Sequence, residues 1–289
     1  MPMENDMTDT AQSIDLFEHE ARMLLDFLQT LPAESWDLAS ACEGWSIGDV
    51  VGHLTSVDLS NRLLRGLDGD HSPPEGAPPP DQHDEDAFAQ SIYRRAIDAS
   101  QRLGDGLLAD FTDRINETVE LFRRVRADQW DNLVYWPPGP MSTRVLLTQR
   151  IAELTMHGWD IRSRLEDDYH LSDGSVLALL DTVDRAARRA FRPDPLLAGR
   201  PLRYRFRITH PGPRTLDLML SDAEAQITHY PSGDILPAAD VTFECDGETC
   251  VLVMYGRLTP HAAVGARRLS VIDGEPYLAA TFGDRFVGG

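Results

Sequence analysis

The sequence predicts an all-α four-helix bundle followed by a smaller α+β domain with a mainly antiparallel sheet. Three observations carry this. Across the first 165 residues or so, apolar side chains recur at three- and four-residue spacing in four long stretches. Beyond about residue 200 they alternate instead, the period of strands. Turn clusters such as PGPR, SDAE and PSGD separate the alternating runs. At 289 residues the chain has room for two modest cores, and the change of period places them at 11–168 and 172–289.

After roughly ten loose residues, Ala11–Leu31 reads as the first helix, with Ile14, Phe17, Ala21, Leu24, Leu25 and Leu28 on one face and Pro32 as its stop. The second helix opens at Ser46, where Asp49 three residues on completes a capping-box pattern. Its inward face runs Val50, His53, Leu54, Val57, Asn61, Leu64. His53 therefore sits where the period asks for a core residue: either a core histidine with both nitrogens bonded, or a ligand. Gly66–Asp86 is rich in proline, glycine and acid and reads as an exposed loop, with His71 and His83 solvated; loops of this length often cover sites. Asp86–Val125 keeps helical periodicity, with Gly104 and Gly106 marking a bend or break. Trp130–Pro140 is a stiff aromatic connector to the fourth helical stretch, Met141–Leu165, whose apolar stripe is Leu147, Ile151, Leu154, Gly158, Ile161 and Leu165. Four amphipathic helices have one economical packing, the bundle.

Ser172–Phe191 reads as a further helix capped by Ser172. Strands follow at Leu202–His210, Thr215–Leu220, Ala225–Tyr230 and Ala239–Cys245, then a short helix at Gly247–Tyr255 and a last strand at Arg268–Ile272.

Composition excludes several classes of function. The net charge of −20 opposes nucleic-acid binding, which needs basic stripes, and suits solubility. All 27 fixed side-chain cations are arginine. No run of about 18 apolar residues is present, so no membrane span is expected. The acidic N-terminal stretch has neither a basic n-region nor an apolar core, which predicts a protein that stays in the cytoplasm. Cys42, Cys245 and Cys250 lack metal-like grouping and read as buried or incidental thiols.

Chemistry concentrates in the fourth stretch. Glu153 and His157 stand four residues apart, hence one helical turn apart on one face. Such pairs are common as solvated partners. Bundles also build metal sites from inward side chains on facing helices, and His53 would add a second imidazole from the second helix. Three protein ligands leave a coordination position open, the mark of a catalytic rather than a structural zinc.

The segment Trp36–Asp58, with Trp36, Cys42, Gly44, Trp45, Asp49 and His53 in order, resembles the N-terminal signature of the mycothiol-dependent maleylpyruvate isomerase family, within the DinB-like metal-binding bundles. Glu153, His157, Gly158, Trp159, Asp160 and Arg162 resemble its second signature. The resemblance implies a divalent metal, usually taken as zinc, held by His53, Glu153 and His157, and a low-molecular-weight thiol, mycothiol first among them, as cosubstrate. It further suggests Trp45 and Trp159 as walls of the thiol pocket, where the plain reading is core tryptophan. Asp160 would orient a ligating histidine, or else pair at the surface with Arg164. Asp246–Phe286 resembles the end of a sterol-carrier-protein-2-like domain; in it Arg257 would clamp a substrate carboxylate, or else cap a helix end. The expected activity is thiol transfer to, or thiol-assisted isomerisation of, a small electrophilic substrate. The alternatives are metal-assisted hydrolysis and a non-enzymatic carrier of an apolar small molecule.

Overall fold

The computed structural model describes residues 2–55, 59–231 and 233–286, and the chain divides into two compact units, Met1–Tyr169 and His170–Gly289.

The first unit is helix-rich. Helix α1 spans Pro2–Thr30, so the N-terminal stretch expected to be loose is helical from its second residue. Ile14, Phe17, Ala21, Leu24, Leu25 and Leu28 are buried, as their spacing requires. The second helical stretch comprises α2 (Ile47–Thr55) and α3 (Leu59–Leu67); the expected core position Val57 lies outside the described residues. Ser46 and Asp49 form the reciprocal cap of α2: Asp49 N–H donates to Ser46 Oγ at 3.1 Å and Ser46 N–H to Asp49 Oδ2 at 3.0 Å. The long span 86–125 forms two helices, α4 (Glu85–Leu103) and α5 (Leu107–Arg123), which changes the helix count expected from periodicity. Gly104 carries φ +50° at the end of α4, a conformation that side-chain-bearing residues avoid, and a three-residue 3-10 turn follows. A two-stranded ribbon, β1 (Leu133–Val134) with β2 (Met141–Ser142), leads into α6 (Thr143–Arg162). Helix α2 packs on α4, α5 and α6, and α1 on α5 and α6. In the loop before α4, His71 is exposed but His83 is not solvated: it pairs with Glu85 at 2.8 Å and meets the Phe88 ring edge-on.

In the second unit the helix expected at 172–191 is two, α7 (Asp173–Leu180) and α8 (Val183–Ala190). A five-stranded sheet follows: β3 (Leu202–Ile208), β4 (Arg214–Leu220), β5 (Ala225–Tyr230), β6 (Val241–Cys245) and β7 (Leu269–Gly274), in the order β5-β4-β3-β6-β7. Only the β3–β6 pairing is parallel. Between β6 and β7 come α9 (Gly247–Met254) and Pro260–Gly265. Tyr204, Phe206 and Ile208 of β3 point to the core, so alternation sends Arg203, Arg205 and Arg207 to the other face. There Asp217, wholly buried and opposite Arg205 in register, accepts from Arg203 at 3.0 Å and doubly from Arg205 at 2.8 Å. No helix of the described residues is long and apolar enough to cross a membrane.

Candidate metal centre

Backbone packing brings His53 to the site. Helix α2 carries glycine at 48 and 52, and the Gly52 face lies on α4: a Cβ there would sit 2.9 Å from Ser100 N and nearer still to the Ala96 carbonyl oxygen. This close approach seats the α2 backbone, and His53, the next residue, is buried at 7% exposure. Just upstream, Gly44 takes φ +78°, which turns the chain back sharply; Trp45 N–H donates to Cys42 O at 3.1 Å and Ser40 Oγ to Trp45 O at 2.9 Å. The turn delivers both Cys42 and Trp45 to the site.

Helix α6 supplies the other side. Its cap is Ser142, whose Oγ accepts from Val145 N–H, and Leu147, Ile151, Leu154 and Ile161 anchor it in the core. Beside that stripe, Glu153 and His157 meet His53: His53 Nε2 lies 3.1 Å and His157 Nε2 3.6 Å from Glu153 Oε2. The imidazole rings stand edge to face, centroids 4.8 Å apart, and the Trp45 ring lies 5.2 Å from His53 and 6.2 Å from His157. Tyr93 stacks on the outer side of Trp45. Asp160, one turn beyond His157, is fully buried rather than an exposed partner of Arg164; its Oδ2 accepts from His157 Nδ1 at 2.9 Å.

Burial opposes charge throughout this cluster, and hydrogen bonds decide the balance. Burial pushes His53 below the ordinary histidine value. Burial would raise Glu153, but the bonds to His157 and His53 outweigh it and hold the carboxylate well below its usual range. Burial would also lower His157, yet its bonds to Asp160, Cys42 and Glu153 raise it well above the usual value.

The donor set fits a divalent ion. One ligand atom from each of His53, Glu153 and His157 lies within 4.8 Å of the others. Zinc bonds of about 2.0–2.1 Å in tetrahedral array put ligand atoms roughly 3.4 Å apart, close to the two distances measured from Glu153 Oε2. Asp160 occupies His157 Nδ1 and so leaves Nε2 to ligate, the usual arrangement behind a metal-bound histidine.

One expected residue of the first unit stands apart. Trp159 is half-buried and, two residues past His157, lies about 200° around the helix from it. Arg257 belongs to the second unit, where its Nη1 donates to Tyr255 O at the end of α9, the capping geometry. Two residues escaped the sequence reading. Cys42, taken as incidental, has Sγ 3.0 Å from Asp160 Oδ2 and 3.8 Å from His157 Nδ1; 118 residues separate it from Asp160, and only its place before Gly44-Trp45 could have signalled it. Arg150 is buried at 5% exposure three residues before Glu153, on the same face. That spacing was its signal.

Comparison with known proteins follows the same residues. No curated protein matches the chain in sequence. Two crystal structures of mycothiol-dependent maleylpyruvate isomerase, one of the enzyme and one of a histidine-to-alanine variant, share its fold; each is 14% identical with a TM-score of 0.56, covering 95% of this chain and 95% of theirs. The family model for the mycothiol maleylpyruvate isomerase N-terminal domain matches residues 17–162, from inside α1 to the end of α6. That match covers half of the chain and contains the Trp45 turn, His53 and the Glu153–Asp160 segment, so the chain belongs to the mycothiol maleylpyruvate isomerase N-terminal domain family.

Proposed function

We propose that the chain is a metal-dependent enzyme that uses a low-molecular-weight thiol, mycothiol by family, to isomerise or thiolate a small electrophile. The observation that carries this reading is the convergence of His53, Glu153 and His157 from two helices, with Asp160 behind His157. A divalent ion held there would keep a thiol deprotonated at neutral pH. The chain's own groups do the rest. Asp160 fixes the tautomer and plane of His157. The Trp45 face walls the site against water beside both imidazoles.

In the reaction the thiolate sulfur bonds to an electrophilic carbon of an unsaturated substrate. In isomerisation the former double bond rotates and the sulfur leaves with its electron pair; in transfer the thioether persists after the adjacent carbon gains a proton. The helical first unit is then a DinB-like bundle. The mixed five-stranded sheet with its helices supports a sterol-carrier-protein-2-like reading of the second.

His53→Ala and His157→Ala should each abolish stoichiometric metal, read by elemental analysis, while far-ultraviolet dichroism stays that of the parent. Equal metal in parent and variants would overturn the ligand assignment. Incubation of the loaded protein with mycothiol and a panel of unsaturated electrophiles should give thiol-dependent isomers or thioethers by mass. Turnover without thiol would replace the reading by hydrolysis, and no turnover with any thiol would favour a carrier.

A further inference from the structure

Across the outer face of the second-unit sheet runs a row of polar side chains with bonding capacity to spare. Register places Glu244 of β6, Arg207 of β3, Thr215 of β4 and Tyr230 of β5 side by side across four strands. Alternation puts all four on the face opposite the Phe206 core. The next row on that face is closed. The connection from β5 to β6 has to cross β4 and β3, and Arg205 Nη2 donates to its Pro237 O at 2.8 Å, so it crosses on this side. Beneath it Arg205 and Asp217 are buried and doubly bonded to each other.

At the Arg207 row the connection stands off the sheet and leaves a cavity of about 340 Å³, the size of a small-molecule site. The row forms its floor; Asp234 and Leu236 of the connection, with Pro213 and Pro231, form its sides. Polar groups around this space are underused among the described residues. Arg207 makes no hydrogen bond there, and its ion pair, Nη2 to Glu244 Oε2, is 3.9 Å long, too far for one. The Thr215 hydroxyl and the Asp234 carboxylate have no bond either. Tyr230 Oη accepts from Arg203 Nη1 at 3.3 Å and keeps its own hydrogen to give. Arg214, which also lines the cavity, is committed to Asp181 and to Gly212 O. The groups with capacity left are thus one guanidinium, two carboxylates and two hydroxyl donors. A simple anion would meet the carboxylates, and a simple cation the guanidinium. A molecule carrying both charges satisfies all of them.

We propose that this cavity binds a small zwitterion of the free amino-acid type. The ligand carboxylate takes the Arg207 fork and accepts from the Thr215 and Tyr230 hydroxyls. The ammonium sits between Asp234 and Glu244, and the side chain packs on Pro213, Pro231 and Leu236. Every residue of the site belongs to the second unit, so the assignment does not rest on the thiol chemistry.

The test is calorimetric titration of the full chain with L-valine. Isobutylamine, which lacks the carboxylate, 3-methylbutanoate, which lacks the ammonium, and sorbitol, which has neither, are the comparisons. L-Valine should bind saturably, and each comparison at least about tenfold more weakly, because each leaves charged groups of the site unmet. Arg207→Gln should weaken L-valine at least about tenfold without weakening isobutylamine. Asp234→Asn should weaken L-valine without weakening 3-methylbutanoate. Both side chains are exposed, so both variants should keep the parent's dichroism and melting temperature. Gln226→Ala, at the other end of β5, should bind L-valine as the parent does. Amino acids also chelate divalent ions, so the titration is repeated on His53→Ala, where binding should persist. No saturable binding by the parent, a comparison compound bound as tightly as L-valine, parental affinity in Arg207→Gln, an equal loss in Gln226→Ala, or loss of binding in His53→Ala would each overturn the site.

Discussion

Gly52 offers the sharpest test of how the fold places the site. A methyl group at this position would press on the Ala96 carbonyl and lie 2.9 Å from the Ser100 amide nitrogen, both backbone atoms of α4 that no rotamer change can move aside. Relief takes a displacement of α2 from α4 of about half an ångström or more, and overpacking of this kind costs roughly 1–3 kcal/mol. Against it stands the helix preference of alanine over glycine, worth about 0.5–1 kcal/mol. The clash wins, so Gly52→Ala should lose about 1–2 kcal/mol in urea denaturation. His53 follows directly in the chain and moves with α2, so metal affinity, read against a competing chelator, should fall as well. Gly158 is the control. It sits beside His157 inside α6, and a Cβ there meets nothing within 4 Å. Gly158→Ala should gain about 0.5–1 kcal/mol and leave metal affinity unchanged. A Gly52→Ala protein as stable as the parent, or equal losses at the two glycines, would refute the argument that close α2–α4 contact seats His53.

Asp160→Asn should keep the fold and lower metal affinity about 10- to 100-fold, because the amide cannot supply the negative charge behind His157; chelator competition reads this. In the second unit the bond from Arg285 Nε, 2.7 Å long, holds the Asp194 carboxyl below the usual carboxylate value. With the native value depressed, its stabilisation is complete above the unfolded-state value and is lost as pH falls through the native one. Denaturation of Asp194→Asn beside the parent should therefore show a deficit at neutral pH that closes in acid; a constant difference across that range would count against the ion pair.

The long periodic elements were legible because burial alone dictates them. Phe17 and Leu28 on α1, and Tyr204 and Phe206 on β3, went where the period of three to four or of two sends them. The helix count was not legible to the same degree. Gly104 could be read as a bend or a break, and only its positive φ shows which. The division of α7 from α8 has no such marker: Leu179, Leu180, Val183, Ala186 and Ala187 are all buried, so apolar spacing runs across the interruption unchanged. At the site, His53 announced itself as a polar residue at a core position, and Glu153 with His157 by their spacing. Arg150 shares that spacing, but an arginine on a helix reads as solvated unless its burial is known. Cys42 carried only a faint signal, its place before Gly44 and Trp45, because its partner lies 118 residues away.

That long-range partner explains why the two motifs belong together. Asp160 lies in the last turn of α6, where carbonyls have no partner within the helix. Its carbonyl oxygen accepts from Ala41 N–H at 2.8 Å, and its carboxylate from Cys42 Sγ and His157 Nδ1. A fully buried carboxylate needs such donors, because each one withdrawn leaves desolvation uncompensated at about 1–3 kcal/mol or more. The Cys42–Trp45 turn and the end of α6 are thereby tied by one residue. Trp45, delivered by that turn, in turn covers both imidazoles. The polar chain from Cys42 through Asp160, His157 and Glu153 to His53 thus spans three segments of the first unit without interruption. The bond from His157 Nδ1 to Asp160 fixes the plane of the imidazole and turns its Nε2 toward Glu153, so one carboxylate orients the middle of this chain while tying its two ends of sequence together.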